Sequence, residues 1–169
     1  NFGGYTLNNT KNEQINFGPI SAFSSHVIAS ENRVFLKPDK MNSLEAVLYG
    51  CAVPTGAGMV LNQLKNIKKN NKVCLIGVGG IGMATLLTLL QKTNKIYVIE
   101  NNKLKINLLK KFNINLLPNN FKLKKYYNYF DFCIDTSGSA KMTEIGLNLI
   151  HSNGVVVFAS HPAKGDNIK

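Results

Sequence analysis

The stretch that decides the fold is Val73-Cys74-Leu75-Ile76-Gly77-Val78-Gly79-Gly80-Ile81-Gly82, followed by the apolar run Met83–Leu90 and by Ile96-Tyr97-Val98-Ile99-Glu100. Gly77, Gly79 and Gly82 have the spacing G-x-G-x-x-G, directly after a β-branched apolar run and directly before a Leu-rich one. A glycine at 77 permits a tight turn out of a strand, one at 79 lets backbone approach a pyrophosphate, and one at 82 lets a helix lie close to the sheet. The helix N-terminus then offers free N–H groups and a positive dipole end to phosphates. An acid about 20 residues on, here Glu100, accepts hydrogen bonds from the ribose hydroxyls. Strand, glycine turn, helix, strand and acid occur in the order that a dinucleotide-binding βαβ unit requires. Glu100 would repel a 2′-phosphate, so NAD is expected rather than NADP, with Lys103 and Lys105 nearby to soften the discrimination.

Two plainer readings compete with this one. Glycines in an apolar segment often mark only a bulge or close packing, but here each flanking element also sits where the chemistry needs it. Val73–Leu90 carries no charge and reaches the lower edge of a membrane-spanning length. Its glycines, however, cluster in 77–82, and its two halves differ in character, one β-branched and one Leu-rich. No membrane association is expected.

At 169 residues and 44% hydrophobic content the chain can hold one domain, or one domain and a piece of another. It starts on Asn1 and reads as a piece of a longer polypeptide, with no signal peptide at its beginning. The net charge is +11, from 20 Lys+Arg against 9 Asp+Glu. That charge invites a nucleic-acid reading, yet Arg33 is the sole arginine and Asn is abundant beside Lys. A coding-sequence bias that leaves solvated lysine faces accounts for this, and no nucleic-acid partner is expected. The best site for the opposing view is Tyr126, Tyr127 and Tyr129 beside Lys122, Lys124 and Lys125. Cys51, Cys74 and Cys133 have no disulfide-framework spacing, so a reduced, cytoplasmic setting is the default. Cys74 and Cys133 read as small core hydrophobes.

Residues 1–18 read as loop. Ala22–Ala29 and Arg33–Leu36 read as strands about a turn at Ser30–Asn32. Ser43 caps a helix from Leu44 to about Tyr49, Gly50–Gly56 interrupts it, and a second helix covers Ala57–Leu64. From Val73 the chain alternates: strands 73–76, 95–99, 114–117, 132–135 and 155–159, and helices 81–92, 103–112 and 139–150, with one short helix inside 121–130. Such alternation predicts an α/β fold, a Rossmann-type doubly wound parallel sheet with helices on both faces. Ligands then bind at the carboxyl ends of the strands, where the loops 77–82, 100–102, 136–139 and 160–164 gather.

Four stretches resemble the medium-chain, zinc-containing alcohol dehydrogenases. These are GPISAFSSHVIASENRVFLKP (Gly18–Pro38), LYGCAVPTGAG (Leu48–Gly58), the VCLIGVGGIG fingerprint and FCIDTSG (Phe132–Gly138). The resemblance implies that residues 1–50 end a GroES-like catalytic domain, contributing its last β-strands. It assigns 51–169 to a dinucleotide-binding domain that is incomplete at its C-terminal end. It implies that Cys51 is a ligand of a catalytic zinc facing the nicotinamide, and that Thr55 contacts that ring. Gly80 and Ile81 would line the cofactor with the motif glycines, Ile81 behind the ring. Lys105 would lie near the adenosine ribose, and Thr136, Ser137, Gly138 and Phe158 would complete the cofactor contacts. The implied activity is hydride transfer between an alcohol or polyol and NAD, zinc stabilising the alkoxide, on a small-molecule alcohol or carbonyl substrate. Homo-oligomerisation through the last strands of the nucleotide domain is implied as well.

The sequence also departs from the family pattern. The other catalytic-zinc ligands, a cysteine and a histidine-glutamate pair, would lie upstream of Asn1, as would a four-cysteine structural-zinc lobe. Neither His26, His151 nor His161 stands at a ligand position, and each reads as a surface or loop histidine. The span between Ile114 and Phe132 is short for the family, so a crossover helix is expected to be reduced. Three alternatives stay open: a zinc-independent, quinone-reductase-like dehydrogenase; a catalytically incomplete NAD-binding fragment; and a basic nucleic-acid module.

Overall fold

The computed structural model describes residues 7–8, 10–12, 14–15, 25–117, 123–163, 165–166 and 168. The chain divides into two compact units, Asn1–Met41 and Asn42–Lys169. The division falls between Met41 and Asn42, upstream of the boundary at residue 50 that the resemblance implies.

In the first unit a short hairpin pairs β1 (Leu7–Asn8) antiparallel with β2 (Gln14–Ile15), inside a segment that reads as loop. The strands expected at 22–29 and 33–36 are not formed among the described residues, and 22–24 lie outside them. A single 3₁₀ turn, Glu31–Arg33, stands there instead. Ile28 and Leu36 are fully exposed. Extended, β-branched sequence makes a strand only when a ladder partner takes its N–H and C=O groups, and none pairs with these residues among those described.

The second unit is built on five parallel strands in the order β5-β4-β3-β6-β7: β3 Lys72–Ile76, β4 Lys95–Ile99, β5 Asn115–Leu117, β6 Phe130–Asp135 and β7 Ile150–Phe158. The chain winds outward from β3 to β5, then returns to β6 beside β3, so the switch in winding lies between β3 and β6. Val73, Cys74, Leu75 and Ile76 are buried, as a central parallel strand covered on both faces must be. On one face Val73, Leu75, Ile96, Val98 and Ile134 pack under α3 (Gly80–Leu89), whose Leu86 and Leu89 reach the core, and under α4 (Lys103–Leu109) through Leu109. On the other face Cys74, Ile76, Cys133 and Phe130 pack with α5 (Ala140–Leu149) through Leu149. The segment that could have been read as a membrane span is thus split into β3 and α3, and no single described helix is long and apolar enough to cross a membrane.

Several boundaries differ from the sequence reading for local reasons. Asn42, not Ser43, caps α1 (Ser43–Tyr49), its side chain accepting the Leu44 N–H at 2.9 Å. The segment read as an interruption, Gly50–Gly56, is mostly helix: α2 runs Ala52–Gly58 and continues as a π-helical turn over Met59–Gln63. Pro54 lies in the first turn of α2, where its missing N–H breaks no helical bond. β7 begins at Ile150 rather than 155, with a register shift against β6 between Phe130 and Phe132. Between β5 and β6 the described crossover holds only a 3₁₀ turn, Leu123–Tyr126, in keeping with a reduced helix there. Pro118–Lys122 lie outside the described residues.

A cluster of rings packs at the described end of that crossover. Tyr97, Tyr126 and Tyr129 surround the buried Phe130 with centroids 5.1–6.0 Å from it. The Tyr97 and Tyr129 hydroxyls lie 3.2 Å apart. That hydrogen bond, with burial, pushes the Tyr97 phenol up to about 12. Tyr126 and Tyr129 pack edge to face in this cluster, while Tyr127 beside them is exposed.

Gly56 shows why a poor helix former sits in α2. A Cβ there would strike the Ile81 carbonyl oxygen and come within 2.8 Å of Ala84 Cβ and 2.9 Å of Thr85 N. The Thr85 hydroxyl donates to the Gly56 carbonyl at 3.2 Å. Gly56→Ala is expected to destabilise the fold by about 1–3 kcal/mol through overpacking. Gly58→Ala, whose Cβ meets nothing nearer than Asn62 Nδ2 at 3.6 Å, should instead be neutral or stabilising by up to about 1 kcal/mol. Urea unfolding of the two variants measures the contrast.

Candidate functional site

The glycine turn is fixed from three sides. Gly77 leaves β3 at φ +79°, a conformation that side chains disfavour. Its N–H donates to the Ile99 carbonyl at 2.8 Å, and a Cβ on it would press on Ser137 Cα at 3.1 Å. Gly82 lies where a Cβ would collide with the Gly77 carbonyl and with Thr136 Oγ1, the latter at 2.8 Å. Thr136 Oγ1 itself donates to the Gly77 carbonyl at 2.8 Å. Gly79 differs from both. It is the N-cap residue of α3, in extended backbone, and a Cβ there would meet nothing within 4 Å. Gly80 opens α3, and Ile81 packs against the core from its first turn.

Glu100 directly follows β4 and is almost fully buried, 6% exposed. One carboxylate oxygen accepts the N–H groups of Asn101 and Asn102 at 2.8 and 2.9 Å, and the other accepts the Val78 N–H at 2.8 Å. Lys105 Nζ stands 3.8 Å from the second oxygen. Glu100 thus straps the glycine turn to the turn leading into α4. Burial alone would raise its pKa, but the backbone donors of Asn102, Val78 and Asn101, with the Lys105 charge, outweigh it and hold the carboxyl below its ordinary value. Asn102 in turn caps α4, accepting from Leu104 N and Lys105 N.

Two clefts open at the carboxyl ends of the strands. The first, about 610 Å³, lies over the β3–β6 switch between the glycine turn, Glu100, Ser137 and the α5 residues Met142 and Ile145. It brings together Gly77, Gly79, Glu100, Lys105, Thr136 and Ser137 of the expected site. The second, about 710 Å³, is lined by Thr55, Met59, Phe158, Ser160 and His161 among others. It brings Thr55 and Phe158 together. Ser160 Oγ is buried there without a hydrogen-bond partner among the described residues. Gly138, at φ +70°, sits beside Ser160 and the His161 carbonyl at the margin of the second cleft.

Cys51 stands apart from both. It lies in the short turn between α1 and α2, at the N-cap of α2, exposed, and lines neither cleft. Among the described residues no three His, Cys, Asp or Glu side chains converge as a metal site would need. His161, read as a loop histidine, borders the second cleft, while His151 bonds Asp131 at 3.3 Å. Lys164, at the end of the expected loop 160–164, lies outside the described residues. The sequence reading missed Lys141, Met142 and Ile145, which helix periodicity could have aimed at the cleft, and Asp135, the one charge in FCIDTSG.

The fold recurs in solved dehydrogenases. The chain superposes on benzyl alcohol dehydrogenase from Acinetobacter calcoaceticus with a TM-score of 0.77 at 19% identity, over 95% of this chain and 48% of that one. An alcohol dehydrogenase zinc-binding domain protein from Burkholderia ambifaria gives 0.78 at 18% identity, over 96% and 46%. A protein described as a zinc-binding dehydrogenase from Sinorhizobium meliloti 1021, bound to NADP, gives 0.59 at 18% identity over 72% and 39%. The chain spans about half the length of the first two. No family model and no curated protein matches the sequence. What these likenesses show is the fold: a Rossmann-like parallel α/β sheet of the kind found in medium-chain, zinc-type alcohol dehydrogenases.

The Glu100 strap has a pH signature. Its folded pKa lies below the ordinary 4.5, so its stabilisation is present above that value and lost as pH falls through the folded one. Glu100→Gln should cost stability at pH 7. The gap to the wild type should close as pH falls from the ordinary carboxylate value through the lower folded one, followed by urea unfolding at several pH values.

Proposed function

We propose that the first cleft binds the adenosine and pyrophosphate half of a nicotinamide dinucleotide and that the second receives the nicotinamide. The chain would then be the nucleotide-binding half of a medium-chain dehydrogenase that moves hydride between an alcohol or polyol and NAD. The observation that carries this reading is Gly79: a glycine at the N-terminus of a ten-residue helix, facing open space inside a cleft at the switch in strand order. A pyrophosphate brings negative charge to the place where α3 presents unpaired N–H groups and its positive dipole end. Lys105 and Lys141 on the same cleft favour an anionic ligand.

The residues present fit such a cofactor, which when bound supplies the hydride acceptor. The chain's own part is to orient and to exclude water. Gly77 and Gly82 keep α3 close enough to the sheet for its N-terminus to face the phosphates. Glu100 keeps one acceptor position on its second oxygen for a ribose hydroxyl, and its charge disfavours a 2′-phosphate, which supports NAD over NADP. Thr55 and Phe158 line the cleft where the reacting ring would lie, Phe158 offering apolar surface to it. The described residues alone do not fit a catalytic zinc, which takes three protein ligands. Cys51 as one zinc ligand of an intact protein rests on its family resemblance, the other ligands coming from outside the described residues.

Calorimetric titration tests the reading. NAD should bind the wild type more tightly than NADP. Gly79→Val, whose Cβ meets no protein atom within 4 Å, should leave the melting temperature within about 2 °C while weakening NAD at least about 100-fold, roughly 2.8 kcal/mol. Equal affinity in the variant, or a folded wild type that binds neither nucleotide, would sink the proposal. For the metal, Cys51→Ser in the intact protein should lose zinc by elemental analysis, and unchanged zinc content would remove Cys51 as a ligand.

A further inference from the structure

Asp135 ends β6 at 2% exposure, directly at the switch point, and lines neither cleft itself. Its carboxylate is engaged in two directions. Oδ1 accepts the Ser137 N–H at 2.8 Å and the Ser137 hydroxyl at 2.7 Å. Oδ2 accepts the Thr143 hydroxyl at 2.8 Å. Ser137 lines the first cleft, whereas Thr143, on the neighbouring turn of α5, lines the second. The Asp135 carbonyl also accepts the N–H of Ala159, another wall of the second cleft, at 2.9 Å. A buried carboxylate is tolerated only when its acceptors are filled, so the three side-chain bonds form one over-determined unit with a wall of each cleft attached.

We infer that Asp135 is a positioning residue that sets the separation of the two clefts for a ligand spanning both. The inference rests on the dinucleotide reading and adds to it. Asp135 touches no ligand; it fixes Ser137 of one subsite against Thr143 and Ala159 of the other. A bivalent ligand gains from its second subsite only when the two lie at the span that its own covalent structure dictates. Loosening the link should therefore penalise a ligand that reaches both clefts and spare one that fills only the first.

The test compares ADP-ribose, which carries no nicotinamide, with NAD, by calorimetry on the full chain. Asp135→Ala should weaken NAD about tenfold more than ADP-ribose. Asp135→Asn should restore most of the difference, because its Oδ1 still accepts from Ser137 and its Nδ2 can donate to Thr143 Oγ1. If the alanine variant does not fold, Thr143→Val supplies the same comparison by removing the hydroxyl that bonds Asp135 Oδ2 and the Ser139 carbonyl, with Thr143→Ser expected to behave as wild type. Equal losses for the two ligands, or no loss for either, would overturn the inference and leave the dinucleotide reading standing. A folded wild type that binds neither ligand would overturn the dinucleotide reading and the inference with it.

Discussion

Everything in the nucleotide-binding unit depends on how closely α3 can approach its neighbours. Its first turns touch the outgoing strand through Gly82 and α2 through Gly56, and at both places a single added carbon would collide with backbone. Helix-on-sheet packing with ordinary side chains keeps backbones farther apart, and only the missing Cβ permits this contact. Because α3 is drawn in, its N-terminus faces the mouth of the β3–β6 switch rather than solvent at large. Of the three motif glycines, Gly79 is the one where an added Cβ meets no protein atom within 4 Å. Two glycines are thus spent on packing and one on leaving room, and the cleft is the consequence.

Two buried carboxylates complete the frame, and each works inward. Glu100 binds three main-chain N–H groups and so holds the glycine turn against the start of α4. Asp135 binds Ser137 and Thr143 and so holds the Thr136–Gly138 turn against α5. Burying a carboxylate is costly unless its acceptors are filled by well-placed donors. Both residues meet that condition at strand ends, where loops otherwise have the fewest restraints. The walls of the first cleft are therefore rigid through hydrogen bonding at the places where apolar packing runs out.

The parallel sheet was legible because its strands are continuous apolar runs and its helices follow at crossover spacing. Val73–Ile76, Ile96–Ile99 and Phe132–Ile134 could hardly be other than buried strands. The strands expected at 22–29 and 33–36 were not formed among the described residues, because β propensity reports a side-chain preference and says nothing about whether a ladder partner exists. α2 was misread for the opposite reason. Pro54, Gly56 and Gly58 are poor helix formers by propensity, yet packing on α3 selects helix, and Gly56 in particular is needed for that packing. Of the site, the motif glycines, Glu100 and the Thr136–Ser137 turn were visible in the sequence, whereas Lys141, Met142 and Asp135 were not.

By itself the sequence determined the parallel α/β class, the glycine turn and the acid at the end of the second strand of the βαβ unit. Those follow from local spacing, since a turn, a helix start and an alternation of apolar runs are properties of neighbours along the chain. Only the tertiary structure decided what the acid binds, which glycine leaves open space, and how the two clefts are joined. Glu100 reaches Val78 and Asp135 reaches Thr143 only after strands and helices have packed. A carboxylate's partners are set by which donors the fold leaves within 3 Å of it, and that distance is not written in the order of residues.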